Sequence, residues 1–112
     1  MTPPHLVPDE GDVAWLDFSP HAGHEQGGRR PAVVLSPAYY NGKTGLMLCC
    51  PMTKHVKGYP YEVLVSRKPP SAILADHVKA VDWRARRMAR KGRVPKAVLD
   101  EVRAKLRTLI GI

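Results

Sequence analysis

Prolines and glycines divide the apolar part of this chain into short segments. The 112 residues include 11 prolines and 9 glycines. Around Asn41-Gly42 the pattern predicts a hairpin turn between two apolar runs. Short strands separated by such turns favour a compact barrel over alternating parallel units. The predicted strands cover residues 13–18, 30–36, 46–52, 62–65, 73–75 and 77–83.

In the last part of the chain, apolar residues recur with a different period from that of a strand. After Pro95, apolar residues recur at three- and four-residue spacing, and Gly111 can end the segment. This pattern predicts one C-terminal helix packed on the sheet. Residues 85–93 are interpreted as a loop or helical turn rather than a strand. The apolar residues of the predicted helix are Val98, Leu99, Val102, Leu106, Leu109 and Ile110.

The formal charge of +8 is unevenly distributed. Acidic residues precede the first basic residue at position 29, whereas arginines and lysines are dense in residues 84–96. Clustered basic side chains displace counterions from phosphates, so a polyanionic partner is expected. A solvated basic face accounts for the same charge at least as well, and an acidic protein tail would suit it equally.

The patterns of cysteine, histidine and hydropathy exclude several classes of protein. Cys49 and Cys50 are neighbours in a predicted strand and therefore point to opposite faces, which disfavours a mutual disulfide. No Cys/His spacing suggests zinc, and we expect no structural metal. No apolar run approaches the roughly 20 residues of a membrane helix, so a cytoplasmic protein is expected. The length predicts one domain over residues 1–112, with residues 1–10 as a flexible lead-in.

The segment Glu-Gln-Gly-Gly-Arg-Arg-Pro, residues 25–31, precedes the second predicted strand. The two glycines permit a sharp exposed turn because neither has a Cβ. Pro31 imposes extended backbone on Arg30, which fixes this arginine at the junction of loop and strand. Loops supported by rigid strands often carry function.

This segment, together with other blocks in the same order, resembles the MazF/PemK family of toxin endoribonucleases from type II toxin-antitoxin systems. The resemblance runs from about Pro8 to Gly111. It implies a mainly β fold with a C-terminal helix, a small SH3-like barrel of the CcdB/PemK kind. It also implies a homodimer that cuts single-stranded RNA without metal or cofactor and is neutralised by a cognate antitoxin. The other matching blocks are Gly11-Asp12 with Trp-Leu-Asp-Phe (15–18), Ser36-Pro37 with Tyr40-Asn41, Pro-Met-Thr (51–53), Lys-Gly-Tyr-Pro (57–60), Leu-Ala-Asp (74–76) with Val78-Lys79, and Trp-Arg-Ala-Arg (83–86).

Metal-free cleavage must deprotonate a ribose 2′-hydroxyl, stabilise the charge developing on the phosphate and protonate the departing 5′-oxygen. The resemblance places the family's catalytic arginine at Arg30 and its active-site threonine at Thr53. An arginine fork matches phosphate oxygens, but its permanent charge makes it a poor acid or base. Glu25 is the expected proton acceptor, and His24 is a rival because imidazole titrates near neutrality.

The expected RNA-binding residues surround this catalytic set. The loop after Thr53 carries basic groups for phosphates and an aromatic face for a splayed base, although a polar hairpin would look similar. Asp76 and His77 are expected to bind a base edge, since the matching family positions border the RNA groove. Trp15 and Trp83 are expected in the core or a dimer interface. The RNA-binding set comprises His24, Arg29, Lys54, His55, Lys57, Tyr59, Asp76 and His77.

Two other functions compete with the nuclease. CcdB-type gyrase poisons share the fold and bind through C-terminal residues, but the tail of this chain lacks the terminal tryptophan expected of them. An SH3-like adaptor would need an exposed aromatic groove, and the few aromatic residues here are scattered. Under the leading hypothesis, the antitoxin is a separate polypeptide with an acidic, partly disordered segment.

Overall fold

The computed structural model describes residues 3, 6–18 and 28–112. These residues form seven strands, two α-helices and a 3-10 turn at Ala75–His77. The strands are β1 (Asp12–Asp17), β2 (Arg29–Val34), β3 (Leu46–Thr53), β4 (Glu62–Arg67), β5 (Pro70–Leu74), β6 (Lys79–Asp82) and β7 (Ala89–Arg93), and the helices are α1 (Ala38–Thr44) and α2 (Lys96–Ile110).

The antiparallel sheet divides at β3. Its strand order is β4-β5-β3-β2-β1-β7, and β6 also pairs with β3. Along one edge, β3 pairs with β2; along the other, its first half pairs with β6 and its last two residues pair with β5. The predicted mainly β fold with a C-terminal helix is confirmed. Among the described residues, no helix is long and apolar enough to cross a membrane.

The strands bury side chains on both faces of the sheet. In β1, Val13 joins one apolar cluster, whereas Ala14 and Leu16 join the other. Helix α2 packs Val102 and Leu106 into the first cluster, as its periodicity predicts. Trp83 is buried in the second cluster, as expected. Strand β1 therefore contributes apolar side chains to both faces of the sheet.

The predicted hairpin turn at Asn41-Gly42 is wrong, because this segment forms helix α1. The Asn41 side chain is fully buried and donates to the backbone oxygens of Pro8, at 2.7 Å, and Ser36, at 2.9 Å. Its carbonyl oxygen accepts the Ser36 hydroxyl hydrogen at 2.6 Å. These contacts join Asn41 to distant segments, so tertiary structure overrides the local turn signal. They also pack Pro8, in the expected flexible lead-in, against the fold.

Strand β7 corrects the interpretation of residues 85–93 as a loop or turn. Ala89–Arg93 pairs antiparallel with β1. The strand is mostly exposed and has no apolar alternation, so the usual sequence signal is missing. Ion pairs support it instead, because the buried Asp12 carboxylate accepts from Arg90 and Arg93, each at 2.7 Å. The strands predicted at 73–75 and 77–83 also shift, because the 3-10 turn lies between β5 and β6.

Candidate active site

Strands β2 and β3 bring the two predicted catalytic residues together. Their register pairs Ala32 with Pro51 and Val33 with Cys50. Arg30 lies two residues before this paired part of β2, and Thr53 lies two residues after the paired part of β3, at the same end of the two strands. Both side chains line the same two surface grooves. The structure therefore joins an arginine and a threonine that are 23 positions apart in the sequence.

The Thr53 side chain is fixed by the backbone that follows it. Thr53 is only 7% exposed, and its Oγ1 accepts the His55 N–H at 3.0 Å. On the other side, Thr53 pairs with Ala72 of β5. A hydroxyl that accepts one hydrogen bond retains a hydrogen to donate. Thr53 can therefore donate to an oxyanion from a defined position.

The first groove, called the His77 groove, has a volume of about 580 Å³. The second, called the Trp15 groove, has a volume of about 640 Å³. Arg30, Thr53 and His55 line both, so the predicted catalytic pair lies at their junction. The His77 groove is also lined by Lys57, Tyr59, Glu62, Leu74, Asp76 and His77. The Trp15 groove is also lined by Trp15, Gly28, Arg29, Pro31, Met52, Lys54, Pro69, Pro70, Ser71 and Lys91.

A glutamate that the sequence analysis did not single out shapes the loop between β3 and β4. The Glu62 carboxylate accepts the Lys57 N–H at 3.1 Å and the Gly58 N–H at 2.6 Å. Gly58 has a φ of 79°, a left-handed conformation that suits glycine. Lys105 of α2 also donates to the Pro60 carbonyl. In the sequence, Glu62 has no signal that separates it from an ordinary solvated strand residue.

Three predicted RNA-binding residues form a connected polar group in the His77 groove. The Tyr59 hydroxyl donates to Asp76 Oδ1 at 2.7 Å, and His77 Nε2 lies 4.0 Å from the same oxygen. Burial, reinforced by the hydrogen bond to Asp76, raises the pKa of the Tyr59 phenol. The phenol therefore keeps its hydrogen at neutral pH and orients the Asp76 carboxylate.

The Arg29 side chain contacts two separate segments of the chain. Its guanidinium donates to Asp17 Oδ1 and to the Arg87 carbonyl, each at 2.9 Å. It thereby links β1 to the segment between β6 and β7 while also lining the Trp15 groove. Trp15 is half-buried, and Lys91 Nζ lies 5.1 Å from its ring centre.

Every described member of the predicted site lines at least one groove. Arg29 and Lys54 line the Trp15 groove, and His55 lines both. Glu25 and His24, the predicted proton acceptor and its rival, lie outside the described residues. The remaining predicted members, Lys57, Tyr59, Asp76 and His77, line the His77 groove.

Cysteine chemistry does not contribute to this site. Cys49 and Cys50 are both free and buried, and burial raises the pKa of each thiol to about 12. Neither thiol is a nucleophile at neutral pH. Within residues 3, 6–18 and 28–112, no group of three or more His, Cys, Asp or Glu side chains is placed to hold a metal ion.

Comparisons with known proteins identify the family of this chain. The profile of the family described as "PemK-like, MazF-like toxin of type II toxin-antitoxin system" matches residues 9–110. Endoribonuclease toxin MazF of Escherichia coli K12 is 52% identical over 106 residues, covering 94% of this chain and 96% of that protein.

Solved structures lead to the same family. The crystal structure of MazF from Deinococcus radiodurans superposes with a TM-score of 0.88 at 55% identity, covering 95% of this chain and 98% of that one. A MazE-MazF crystal structure from the same organism gives a TM-score of 0.80 at 47% identity, covering 94% and 97%. The predicted family is therefore confirmed, and this chain belongs to the PemK-like, MazF-like toxins of type II toxin-antitoxin systems.

Proposed function

We propose that this chain is a sequence-specific, metal-independent endoribonuclease toxin that cuts single-stranded RNA, chiefly mRNA, and arrests growth. The products are a 2′,3′-cyclic phosphate, or its opened 3′-phosphate, and a 5′-hydroxyl. The observation that carries this proposal is that Arg30 and Thr53 both line each of the two grooves and so lie together at their junction. The endoribonuclease activity named for the Escherichia coli relative supports it.

In the proposed reaction, the ribose 2′-oxygen attacks the adjacent phosphorus and the bond from phosphorus to the 5′-oxygen breaks. Arg30 supplies charged donors to the phosphate oxygens as negative charge builds on them. Thr53 donates its hydroxyl hydrogen to the same group. Glu25 accepts the proton of the 2′-hydroxyl, with His24 as its rival, and these two roles stay predictions.

The grooves offer contacts for nucleotides on both sides of the reacting phosphate. Lys54 and Lys57 are exposed on the loop after Thr53 and suit phosphates. His55 lines both grooves, and Arg29 adds a guanidinium to the Trp15 groove. Tyr59, Asp76 and His77 line the His77 groove, where they suit contacts to a base and its edge.

The proposed protein partners follow from charge and exposed apolar surface. A cognate antitoxin with an acidic segment complements the formal charge of +8 and the basic groups of the grooves. The MazE-MazF structure of Deinococcus radiodurans supports an antitoxin partner. For the proposed homodimer, exposed Tyr39, Leu46 and Leu48 offer apolar area to a second copy. The cytoplasmic location also stays a prediction.

The test is a cleavage assay with EDTA on a long single-stranded RNA, with ends mapped by primer extension and end chemistry. It compares wild type, Arg30→Ala and Thr53→Ala with a control, Arg107→Ala, whose side chain is exposed on α2. Discrete cuts with 5′-hydroxyl ends are expected from wild type and the control only.

Two outcomes would contradict the proposal. Equal cleavage by wild type and both site variants would show that Arg30 and Thr53 are not catalytic. Growth arrest without RNA cleavage would favour a CcdB-like gyrase poison, which an assay of gyrase supercoiling would then detect.

A further inference from the structure

One cavity of the molecule has no part in the proposed cleavage. It has a volume of about 540 Å³ and is lined by residues of β1, by Leu6 and Pro8 before that strand, and by the segment 83–90. It is called the Met88 pocket. Among the described residues, none lines both this pocket and either of the two grooves.

The Met88 pocket and the Trp15 groove lie on opposite sides of β1. Ala14 lines the pocket, whereas its neighbour Trp15 lines the groove. Successive side chains of a strand point to opposite faces of the sheet. A ligand in the pocket therefore occupies a different place from an RNA chain in the grooves.

Most of the lining of the Met88 pocket is apolar. Trp83 has a fixed orientation there, because its Nε1–H donates to the Asn41 carbonyl at 3.0 Å. Sites for small molecules are typically cavities of this size, with a mainly apolar lining and a few placed polar groups. The apolar residues of the lining are Leu6, Pro8, Ala14, Trp83, Met88 and Ala89.

The polar part of the lining is basic. It consists of three arginines, Arg84, Arg87 and Arg90, and one aspartate, Asp12, so its net formal charge is +2. The guanidinium of Arg90 contacts the Asp12 carboxylate at 2.7 Å, and that of Arg84 lies 4.3 Å from the centre of the Trp83 ring. Two of the three guanidinium groups are therefore held in place by the fold, which reduces the entropy lost when a ligand binds.

Arg87 combines an exposed side chain with a strained backbone. Its φ is 54°, in the left-handed region that residues other than glycine seldom adopt. Residues held in such conformations cluster at functional sites. The Arg87 side chain is 78% exposed, and its nitrogen lies 3.8 Å from Asp17 Oδ2, beyond hydrogen-bond distance. This third guanidinium can therefore turn toward a ligand at little cost.

We propose that the Met88 pocket binds a nucleoside monophosphate, with the phosphate at the three arginines and the base against the apolar lining. A phosphate monoester carries a charge of about −1.5 to −2 at pH 7, which matches the charge of the lining. Guanidinium groups bind phosphate oxygens in pairs and stack on flat rings, so both parts of the ligand gain contacts. A free nucleotide and the phosphorylated 3′-end of an RNA offer this same chemistry. The inference does not depend on the proposed cleavage.

Two methionines allow the pocket and the grooves to be observed separately. Met88 lines the pocket, and Met52 lines the Trp15 groove. The protein is labelled with ¹³C at its methionine methyl groups and titrated in NMR spectra with adenosine 3′-monophosphate, adenosine or inorganic phosphate. We expect the nucleotide to shift the Met88 signal, to saturate at one ligand per chain and to leave the Met52 signal unchanged. Adenosine and phosphate should each bind at least about tenfold more weakly, because each uses only part of the pocket.

Variants of the arginines test the position of the phosphate. The double variant Arg84→Gln with Arg87→Gln should weaken nucleotide binding by about tenfold or more, because charged hydrogen bonds are lost. Arg87→Gly removes one guanidinium while suiting the left-handed backbone, and it should weaken binding several-fold. The matched control, Arg67→Gln with Arg107→Gln, removes the same charge from exposed positions outside the pocket and should bind within about twofold of wild type. The methyl spectra show whether each variant is folded.

A further titration distinguishes the two sources of the ligand. It uses an uncleavable 2′-O-methyl RNA tetramer with and without a 3′-phosphate. A shift of Met88 that requires this phosphate, with tighter binding than the free nucleotide, would identify RNA ends as the ligand. A shift of Met88 with the free nucleotide alone would identify the nucleotide pool.

Four results would overturn the inference. They are a shift of Met52 alone, binding of inorganic phosphate as tight as that of the nucleotide, equal weakening by the pocket variant and its control, and a Met88 shift seen only with a peptide of alternating leucine and aspartate. The last result would assign the pocket to a protein partner. None of these measurements requires RNA cleavage, so a failure of the proposed function is a separate result.

Discussion

Arginines serve different purposes in two regions of this molecule. At the junction of the His77 and Trp15 grooves, Arg30 and Thr53 line a surface large enough for nucleotides. At the edge of the sheet, Arg90 and Arg93 pair with the buried carboxylate of Asp12. The second region, called the Asp12 cluster, also includes Glu10 and Arg103, which pair with each other.

The Asp12 cluster explains part of the uneven charge of the sequence. The early acidic residues and the late basic residues meet because β1 pairs with β7. Asp17 continues this pattern by contacting Arg29 and Arg87. A dense basic run is therefore partly neutralised by carboxylates within the chain. The number of basic residues in this run therefore overstates the evidence for a polyanionic partner. The basic residues that line the grooves are stronger evidence.

The largest expected effect separates these two regions by activity. Arg30→Ala should lower the single-turnover cleavage rate by about 1000-fold, because charged donors to a developing oxyanion are lost. Its free energy of unfolding should change by no more than about 1 kcal/mol. Arg93→Ala is the matched control and should retain cleavage per folded molecule. Equal losses of activity in the two variants would remove the proposed distinction.

A substitution in the Asp12 cluster should lower the stability of the protein rather than its cleavage activity. Asp12→Asn places an amide donor against two guanidinium groups at a side chain that is 1% exposed. We expect a loss of about 2 to 4 kcal/mol in the free energy of unfolding, measured with urea, because one arginine loses its acceptor oxygen and both lose the opposite charge. Cleavage by the folded fraction should stay within about threefold. A specific loss of cleavage without a loss of stability would place Asp12 in the site.

The sequence predicts those parts of the fold that depend on local patterns. Helix α2 follows from apolar spacing between Pro95 and Gly111, and it is confirmed. Strand β7 has no apolar alternation, and it is supported instead by Asp12, which is distant in the sequence. No local sequence pattern indicates such a partner. Helix α1 likewise depends on the contact of Asn41 with Pro8 across 33 positions.

The same distinction between local patterns and distant contacts applies to the candidate site. Arg30 and Thr53 are found by resemblance, and the strand register then supplies their proximity. Glu62 was missed because its task, accepting backbone N–H groups of a loop, depends on the shape of that loop. The link from Tyr59 to Asp76 crosses 17 positions and is likewise a product of folding.

The next effect tests whether the hydrogen bond between Tyr59 and Asp76 in the His77 groove contributes to RNA binding. Tyr59→Phe removes the hydroxyl that donates to Asp76 but keeps the ring. We expect RNA affinity to fall by about tenfold, since Asp76 loses the hydrogen bond that orients its carboxylate, with the cleavage rate at saturating RNA nearly unchanged. Single-turnover rates and equilibrium binding measure the two quantities. A lower cleavage rate at saturating RNA with unchanged affinity would contradict a binding role for this hydrogen bond.

The smallest expected effect distinguishes lysines that line the grooves from a lysine elsewhere in the chain. Lys54→Ala and Lys57→Ala should each weaken RNA binding several-fold and reduce the slope of log affinity against log salt concentration by about 0.7, since one phosphate contact is lost from a single strand. Lys96→Ala is the control, because Lys96 pairs with Asp100 on α2 at 2.8 Å. Binding titrations at several salt concentrations with an uncleavable RNA provide the slopes. If Lys96→Ala reduces the slope as much as the loop variants do, RNA also contacts basic residues outside the grooves, and the grooves do not define the binding surface.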